Sequence, residues 1–315
     1  MSSGIRLNDI EREDTCMKDT EMEAAVIFES HLPDALRRAL EYAGDDGFVA
    51  SMPALLHARV NADFDNEIWD TWFFTSTSEE SAVTTPQGNH AVVVVHGGGI
   101  FASPERFRKL YLASVGRASV DGFTGLFGAK ILATEARDVQ EGHLPDGTQI
   151  PVFPFDEFKR GIADLPRRYA VIMDFEMART SKCGYASFDE LKDDPLMIVR
   201  AGGVDAAAKY LDKAKAYYGT TTMGSWHRFD DLNPDQPQTW VQFLFDCLAG
   251  ASDKESLDPA SRQQGDSDAW FTHYRVSRDS GFGLRADMAL VNMARYVAVA
   301  PRNVATSVRH LSFNR

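Results

Sequence analysis

The hydrophobic pattern is clearest around a run of valines, where it predicts a strand, a turn and a helix. Residues 91–95 (AVVVV) form a short, fully apolar run that is typical of a buried strand. The preceding run SAVTT, separated from it by PQGN, predicts an antiparallel hairpin partner. After three glycines, Ser103 can cap a helix and Pro104 suits its first position.

Two further apolar runs, at 167–175 (RRYAVIMDF) and 196–200 (LMIVR), predict two more buried strands. Helical patterns follow both, and Ser187 with Glu190 predicts a capping box on one of these helices. Upstream, the pattern becomes helical from Glu21. The predicted class is therefore α/β, with a mixed, partly parallel sheet, helices on both faces and an N-terminal helical segment.

The last third of the chain gives a weaker pattern. Residues 240–250 (WVQFLFDCLAG) are consistent with a helix, 270–277 with a strand, 286–296 with a helix and 296–302 with a closing strand. We expect residues 1–20 to be a flexible acidic arm and 21–315 to be a single domain. The polar stretch near 250–269 would be an exposed loop or a lid.

Composition then restricts the partners. The 315 residues include 33 basic and 46 acidic side chains, a net charge of −13, which argues against a nucleic-acid partner. The longest apolar run is too short to span a membrane, and the polar N-terminus shows no secretory signal. Three widely spaced cysteines favour a reducing compartment. We expect a cytoplasmic protein that acts on a small-molecule substrate, with homo-oligomerisation left open and no cofactor identified.

The most specific motif is His96-Gly97-Gly98-Gly99, which lies between the predicted strand and helix. It resembles the HGGG turn of the hormone-sensitive-lipase-like esterases of the α/β-hydrolase fold. The resemblance implies that the amides of Gly98 and Gly99 stabilise an oxyanion. No GxSxG nucleophile motif occurs in this sequence, so the resemblance supplies no nucleophile. An alternative interpretation is that the glycines serve only to allow close packing or a positive φ.

Several other residues would meet this turn if the three predicted strands run parallel. Gly202 and Gly203 then form a second strand–glycine–helix corner beside it, and Arg200 offers a bidentate anion contact. Asp174 and Glu176 would follow the neighbouring strand, where they could orient a histidine or hold a cation.

Proton transfer at such a site would fall to a histidine. His96 itself or His227, in the loop MGSWHR, could act as the general base. No Cys/His cluster predicts a metal site.

These residues together predict an enzyme of hydrolase or acyl-transfer type. It would bind a small anionic or carbonyl-containing substrate at the glycine turn, and Gly97 would belong to that anion site with Gly98 and Gly99. One alternative is an α/β enzyme that binds a nucleotide or sugar phosphate at both glycine turns. A second is a non-enzymatic assembly or binding protein whose glycines are packing devices.

Overall fold

The computed structural model describes residues 22–29, 32–69, 73–83, 90–108, 129–130, 133–227, 229, 240–248, 282–287 and 294–301. The strands in these ranges all belong to one sheet. Their bounds are β1 Met22–Glu29, β2 Phe48–Val49, β3 Phe74–Val83, β4 His90–His96, β5 Ala129–Lys130, β6 Val152–Pro154, β7 Tyr169–Asp174, β8 Gly184–Ser187, β9 Thr222–Trp226, β10 Trp240–Leu248, β11 Phe282–Asp287 and β12 Ala294–Pro301.

The α-helices lie between these strands, with most of them in the middle of the chain. Their bounds are α1 Leu32–Ala43, α2 Met52–Asn61, α3 Ala133–Gln140, α4 Phe155–Lys159, α5 Phe175–Arg179, α6 Phe188–Lys192, α7 Pro195–Ala201 and α8 Val204–Tyr218. Short 3-10 turns at Glu67–Trp69 and Gly99–Ala102 and helical residues 104–108 complete the helical part of the described chain.

The sheet is mixed, as the sequence predicts. Its main path runs in the order β6-β7-β4-β3-β10-β11-β9-β8, and β12 joins it beside β3 and carries β1 and β2. The pairs β6–β7 and β9–β11 are parallel, whereas β3–β4, β4–β7 and β3–β10 are antiparallel. The predicted hairpin is confirmed, with Val83 opposite His90 and Thr77 opposite His96.

Helices cover both faces of the sheet around β4 and β7. Val92 and Val94 point to one face, where they belong to a buried cluster with side chains of α4, α5 and α7. Val93 and Val95 point to the other face and pack with Val139 of α3. Because both faces of β4 are buried, its unbroken apolar sequence is what a central strand requires. The α/β class is therefore confirmed, together with helices on both faces.

Four predicted elements differ from the structure. One is the helix predicted over 286–296, because its described ends, 286–287 and 294–296, belong to strands β11 and β12. Residues 196–200 are not a strand but the body of α7, because Asp194 caps the helix by accepting from the Met197 amide and Pro195 occupies the first turn. Residues 240–248 form strand β10 rather than a helix. The chain just after Glu21 begins with strand β1, and the N-terminal helical segment starts only at α1. Short apolar runs do not distinguish helix from strand by periodicity.

Other predictions on local structure are confirmed. Ser187 and Glu190 form the predicted capping box at the start of α6. The predicted closing strand is β12. Within the described ranges, no helix has the length and apolar character needed to cross a membrane. The predicted arm 1–20, the loop or lid near 250–269 and the strand 270–277 lie outside the described residues.

Candidate functional site

The three glycines after β4 close a turn against β3. Their φ angles are 89°, 132° and 52°, in the region that glycine adopts far more readily than other residues. The amides of Gly97 and Gly98 both donate to the carbonyl of Ser76, at 3.1 and 2.6 Å. A Cβ atom on Gly99 would lie 2.1 Å from the Ser78 hydroxyl. Glycine is therefore required here for backbone conformation and close packing, and the Gly98 amide has a protein acceptor.

His96 lies at the end of β4 with its side chain completely buried. Its Nδ1 is 3.0 Å from the Thr77 hydroxyl, and its Nε2 is 3.1 Å from the Val199 carbonyl. Because that carbonyl can only accept, Nε2 carries the proton and Nδ1 accepts from Thr77. The Thr77 oxygen in turn accepts from the Met52 amide, at 2.9 Å. One continuous chain of hydrogen bonds thus connects α2, β3, β4 and α7.

Burial fixes the protonation state of this histidine. Desolvation lowers the pKa of His96 to about 3, and the hydrogen bond to the Val199 carbonyl opposes only part of that shift. The imidazole is therefore neutral at physiological pH, and both of its nitrogens are bonded to protein atoms. A general base needs an accessible lone pair close to a substrate proton, and His96 has its lone pair directed at Thr77.

Arg200, on the last turn of α7, is paired inside the protein. Its guanidinium binds Glu79 of β3 through two hydrogen bonds of 2.7 and 3.0 Å, and both side chains are completely buried. Its remaining terminal nitrogen donates to the Ser225 hydroxyl of β9, at 3.0 Å. The fork geometry predicted for an anion contact is thus present, but the anion is the carboxylate of Glu79. We call Thr77, Glu79, His96, Arg200 and Ser225 the buried polar network.

Gly202 and Gly203 separate two helices, so the prediction of a strand–glycine–helix corner there is wrong. Gly202 ends α7 with a left-handed φ of 91°, and Gly203 precedes α8. Their amides donate to the carbonyls of Val199 and Ile198, at 3.1 and 2.9 Å. This is the usual way in which a C-terminal glycine satisfies the last carbonyls of a helix.

The predicted carboxylates lie at the other end of β4 from the glycine turn. Because β4 and β7 are antiparallel, Asp174 is opposite Ala91, whereas Tyr169 is opposite His96. Five residues of strand correspond to about 17 Å. The condition on which these residues would meet, three parallel strands ending at one edge, is therefore not met.

Asp174 and Glu176 have local roles at this second edge. Asp174 caps α5 by accepting from the amides of Glu176 and Met177. Glu176 pairs with Arg179 at 2.7 Å, and that guanidinium lowers the pKa of the exposed carboxyl. The ring of His90 stacks on Phe175 next to them, with ring centroids 3.7 Å apart.

His227 is also buried and hydrogen-bonded on both ring nitrogens. Its Nδ1 accepts from the amide of Phe229 at 3.2 Å, so its Nε2 donates to the carbonyl of Ser181 at 3.1 Å. Through these bonds the imidazole ties the end of β9 to the turn after α5. In the described part of the chain, no group of three or more histidines, cysteines and carboxylates is placed to hold a metal ion.

Comparison with known proteins identifies the fold but no family. The chain is similar to a solved structure described as "Accommodation of massive sequence variation in Nanoarchaeota by the C-type lectin fold". The TM-score is 0.56 at 19% sequence identity, over 89% of this chain and 98% of that one. The likeness is one of fold alone. No protein-family model matches the chain, and no curated protein matches it.

Sequence reasoning missed Thr77, Glu79 and Ser225, three members of the buried polar network. The sequence contains one indication that Glu79 is buried. Its strand pairs with β4, which is apolar on both faces, and a strand next to such a central strand is buried as well. The partner of Glu79 could not be found in this way, because Arg200 is 121 positions further along the chain. The hydrogen bonds of the buried polar network hold strands β3, β4 and β9 to helix α7.

Proposed function

We propose that this chain is a non-catalytic binding protein, which presents surface side chains on a C-type lectin fold. One observation carries the proposal: the ring nitrogens of His96 and His227 are all hydrogen-bonded to protein atoms inside the fold. The residues that would perform acyl transfer are thus used to hold the fold together. A small-molecule substrate and a hydrolase activity therefore have less support than recognition of a partner by the surface.

The solved structure with the similar fold adds a second, weaker support. Its description states that the C-type lectin fold accommodates massive sequence variation in Nanoarchaeota. A scaffold can tolerate variation when its strands are fixed by interior bonds that do not involve the surface. In this chain, Glu79 and Arg200 make such bonds between β3 and α7, and neither side chain is exposed to solvent. Surface residues can then change without loss of the sheet, which is the requirement for a versatile binding protein.

The experiment compares two displayed libraries of the full chain. In one, the exposed residues Thr180, Lys182 and Tyr185 are randomised; in the other, the buried residues Thr77, His96 and Ser225. We expect most members of the exposed library to unfold cooperatively, as folded proteins do. We also expect selection from this library to yield binders of a folded protein target. Few members of the buried library should fold.

An activity assay on the same material supplies the opposing outcome. The wild-type chain and its His227→Gln variant are incubated with short-chain nitrophenyl esters and nitrophenyl phosphate. We expect no turnover above the buffer rate for either protein. Turnover by the wild type that disappears in a folded His227→Gln variant would establish the enzyme and overturn the proposal. Equal intolerance of the two libraries would also contradict it.

A further inference from the structure

The turn after α2 exposes an aromatic side chain between two acids. Phe64 is 46% exposed, among the highest values for large hydrophobic side chains in the described chain. Asp63 and Asp65, on either side of it, are also exposed. Each part of a phenylalanine ring that stays exposed to water forgoes the stabilisation that its burial would contribute. Tyr217 beside it is partly exposed, so the two rings form a small aromatic patch rather than one isolated side chain.

Neighbouring rings hold Phe64 in place. Its ring centroid lies 5.4 Å from that of Tyr217 and 6.0 Å from that of Trp69. Trp69 is completely buried and packs against Tyr217 at 4.9 Å. Tyr218, which meets Tyr217 edge-on, donates its hydroxyl hydrogen bond to the Trp69 carbonyl at 3.3 Å. The exposed ring therefore rests on a rigid aromatic base, and little side-chain entropy is lost when a partner binds it.

The charges around this ring favour a cation. Within the described residues, the carboxylates of Asp63 and Asp65 make no side-chain hydrogen bond and no ion pair. The ammonium of Lys213 lies 5.4 Å from the Phe64 ring centroid, so the ring already has a cation nearby. That ammonium is engaged with the carbonyls of Val60 and Ala62, at 2.6 and 2.5 Å. The two aspartates are thus available to a second positive charge.

We infer that Phe64, Tyr217, Asp63 and Asp65 form a docking surface for an arginine-bearing segment of a partner protein. A guanidinium stacks on an aromatic face and binds a carboxylate through its fork at the same time, which an ammonium cannot do. The net charge of −13 favours the approach of such a segment. The inference uses none of the residues around the glycine turn, so it stands whether the chain is a binding protein or an enzyme.

The test titrates the full-length protein against a fluorescein-labelled peptide of alternating arginine and glycine, by anisotropy. We expect Phe64→Ala to weaken binding about tenfold. The double variant Asp63→Asn/Asp65→Asn should weaken it several-fold and reduce its salt dependence. A lysine–glycine peptide of the same length should bind less tightly than the arginine peptide.

Matched controls separate this surface from the general charge of the protein. Tyr185→Ala removes another exposed aromatic ring, and Asp45→Asn/Asp46→Asn removes an exposed acidic pair that does not flank Phe64. Both controls should bind the peptide like the wild type. Equal weakening by the control pair, or no effect of Phe64→Ala, would overturn the inference. A dimer that dissociates in Phe64→Ala, measured by sedimentation, would show that a second copy occupies the surface and would overturn it too.

Discussion

Strands β3 and β4 are neighbours in the sheet and both are buried, yet their sequences are opposite in character. The described core of β4 is alanine and valine, with residues 91–95 at most 8% exposed. In β3, residues 75–80 read Thr-Ser-Thr-Ser-Glu-Glu and none is more than 5% exposed. The two strands pair residue by residue, with Glu79 opposite Val94 and Glu80 opposite Val93. One hairpin thus combines two different ways of forming a sheet interior.

The difference lies in what each strand demands of its surroundings. An apolar strand is stabilised by any well-packed apolar neighbour, since the hydrophobic effect has no preferred direction. A polar strand is stable inside a protein only if each polar group has a partner in the correct place. β3 therefore specifies where α7 and β9 must lie, through Arg200 and Ser225. β4 contributes hydrophobic stabilisation of the fold, and β3 determines which elements pack beside it.

The largest expected effect follows from breaking the buried ion pair of β3. Arg200→Met leaves the Glu79 carboxylate buried without its guanidinium, and the free energy of unfolding should fall by about 3 to 5 kcal/mol. Urea unfolding followed by circular dichroism measures the loss. The double variant Glu79→Met/Arg200→Met removes both charges and should be more stable than Arg200→Met alone. If the double variant is the less stable of the two, Glu79 stabilises the fold through groups other than Arg200, and an unpaired buried charge is not what destabilises Arg200→Met.

The sequence predicts β4 and β7 well, and their environment much less well. Residues 91–95 and 169–173 are apolar runs whose burial needs no information about distant residues. The capping box at Ser187 is likewise local. The glycine turn was located correctly as a tight corner between a strand and helical residues. The partner of the Gly98 amide could not be predicted, because its acceptor, the carbonyl of Ser76, lies on another strand.

The role of Arg200 shows why the remainder could not be predicted. The apolar pattern of residues 196–200 predicts a strand, which would place Arg200 at a strand end, open to a ligand. The cap at Asp194 makes this segment a helix. The helix places Arg200 next to Glu79 inside the protein. A local error in secondary structure therefore became an error about chemistry. Pairings across 121 residues are fixed by tertiary structure alone.

The second prediction concerns acid stability, through His96. Its pKa in the folded protein is about 3, below the ordinary value of 6.5. As the pH falls from about 6.5 to about 3, the unfolded chain therefore binds a proton that the folded protein does not, and stability decreases. Each pH unit in this window contributes about 1.4 kcal/mol, so the loss from His96 should be about 2 to 3 kcal/mol at pH 4.5. Urea unfolding at a series of pH values measures it.

A substitution that cannot titrate isolates this contribution. His96→Gln keeps a donor for the Val199 carbonyl but binds no proton, so the dependence of its stability on pH should be shallower between pH 6.5 and 4.5 by about one proton. The comparison uses slopes, so it holds even if the variant is less stable at every pH. The same substitution at the exposed His143 serves as the control. Parallel curves for the wild type and His96→Gln would show that His96 is not the proton-linked group.

The smallest effects are expected from single substitutions that make β3 less polar or β4 more polar. Thr77→Val leaves the Met52 amide and His96 Nδ1 without their shared partner, and stability should fall by about 1 to 3 kcal/mol. Val94→Thr places a hydroxyl in the apolar cluster with Val92 and Val171, and the free energy of unfolding should fall by about 1 to 2 kcal/mol. The two swaps barely change side-chain shape, so denaturant midpoints compare polarity directly. If Thr77→Val is neutral, β3 is held by packing like its neighbour, and the contrast between the two strands is one of composition only.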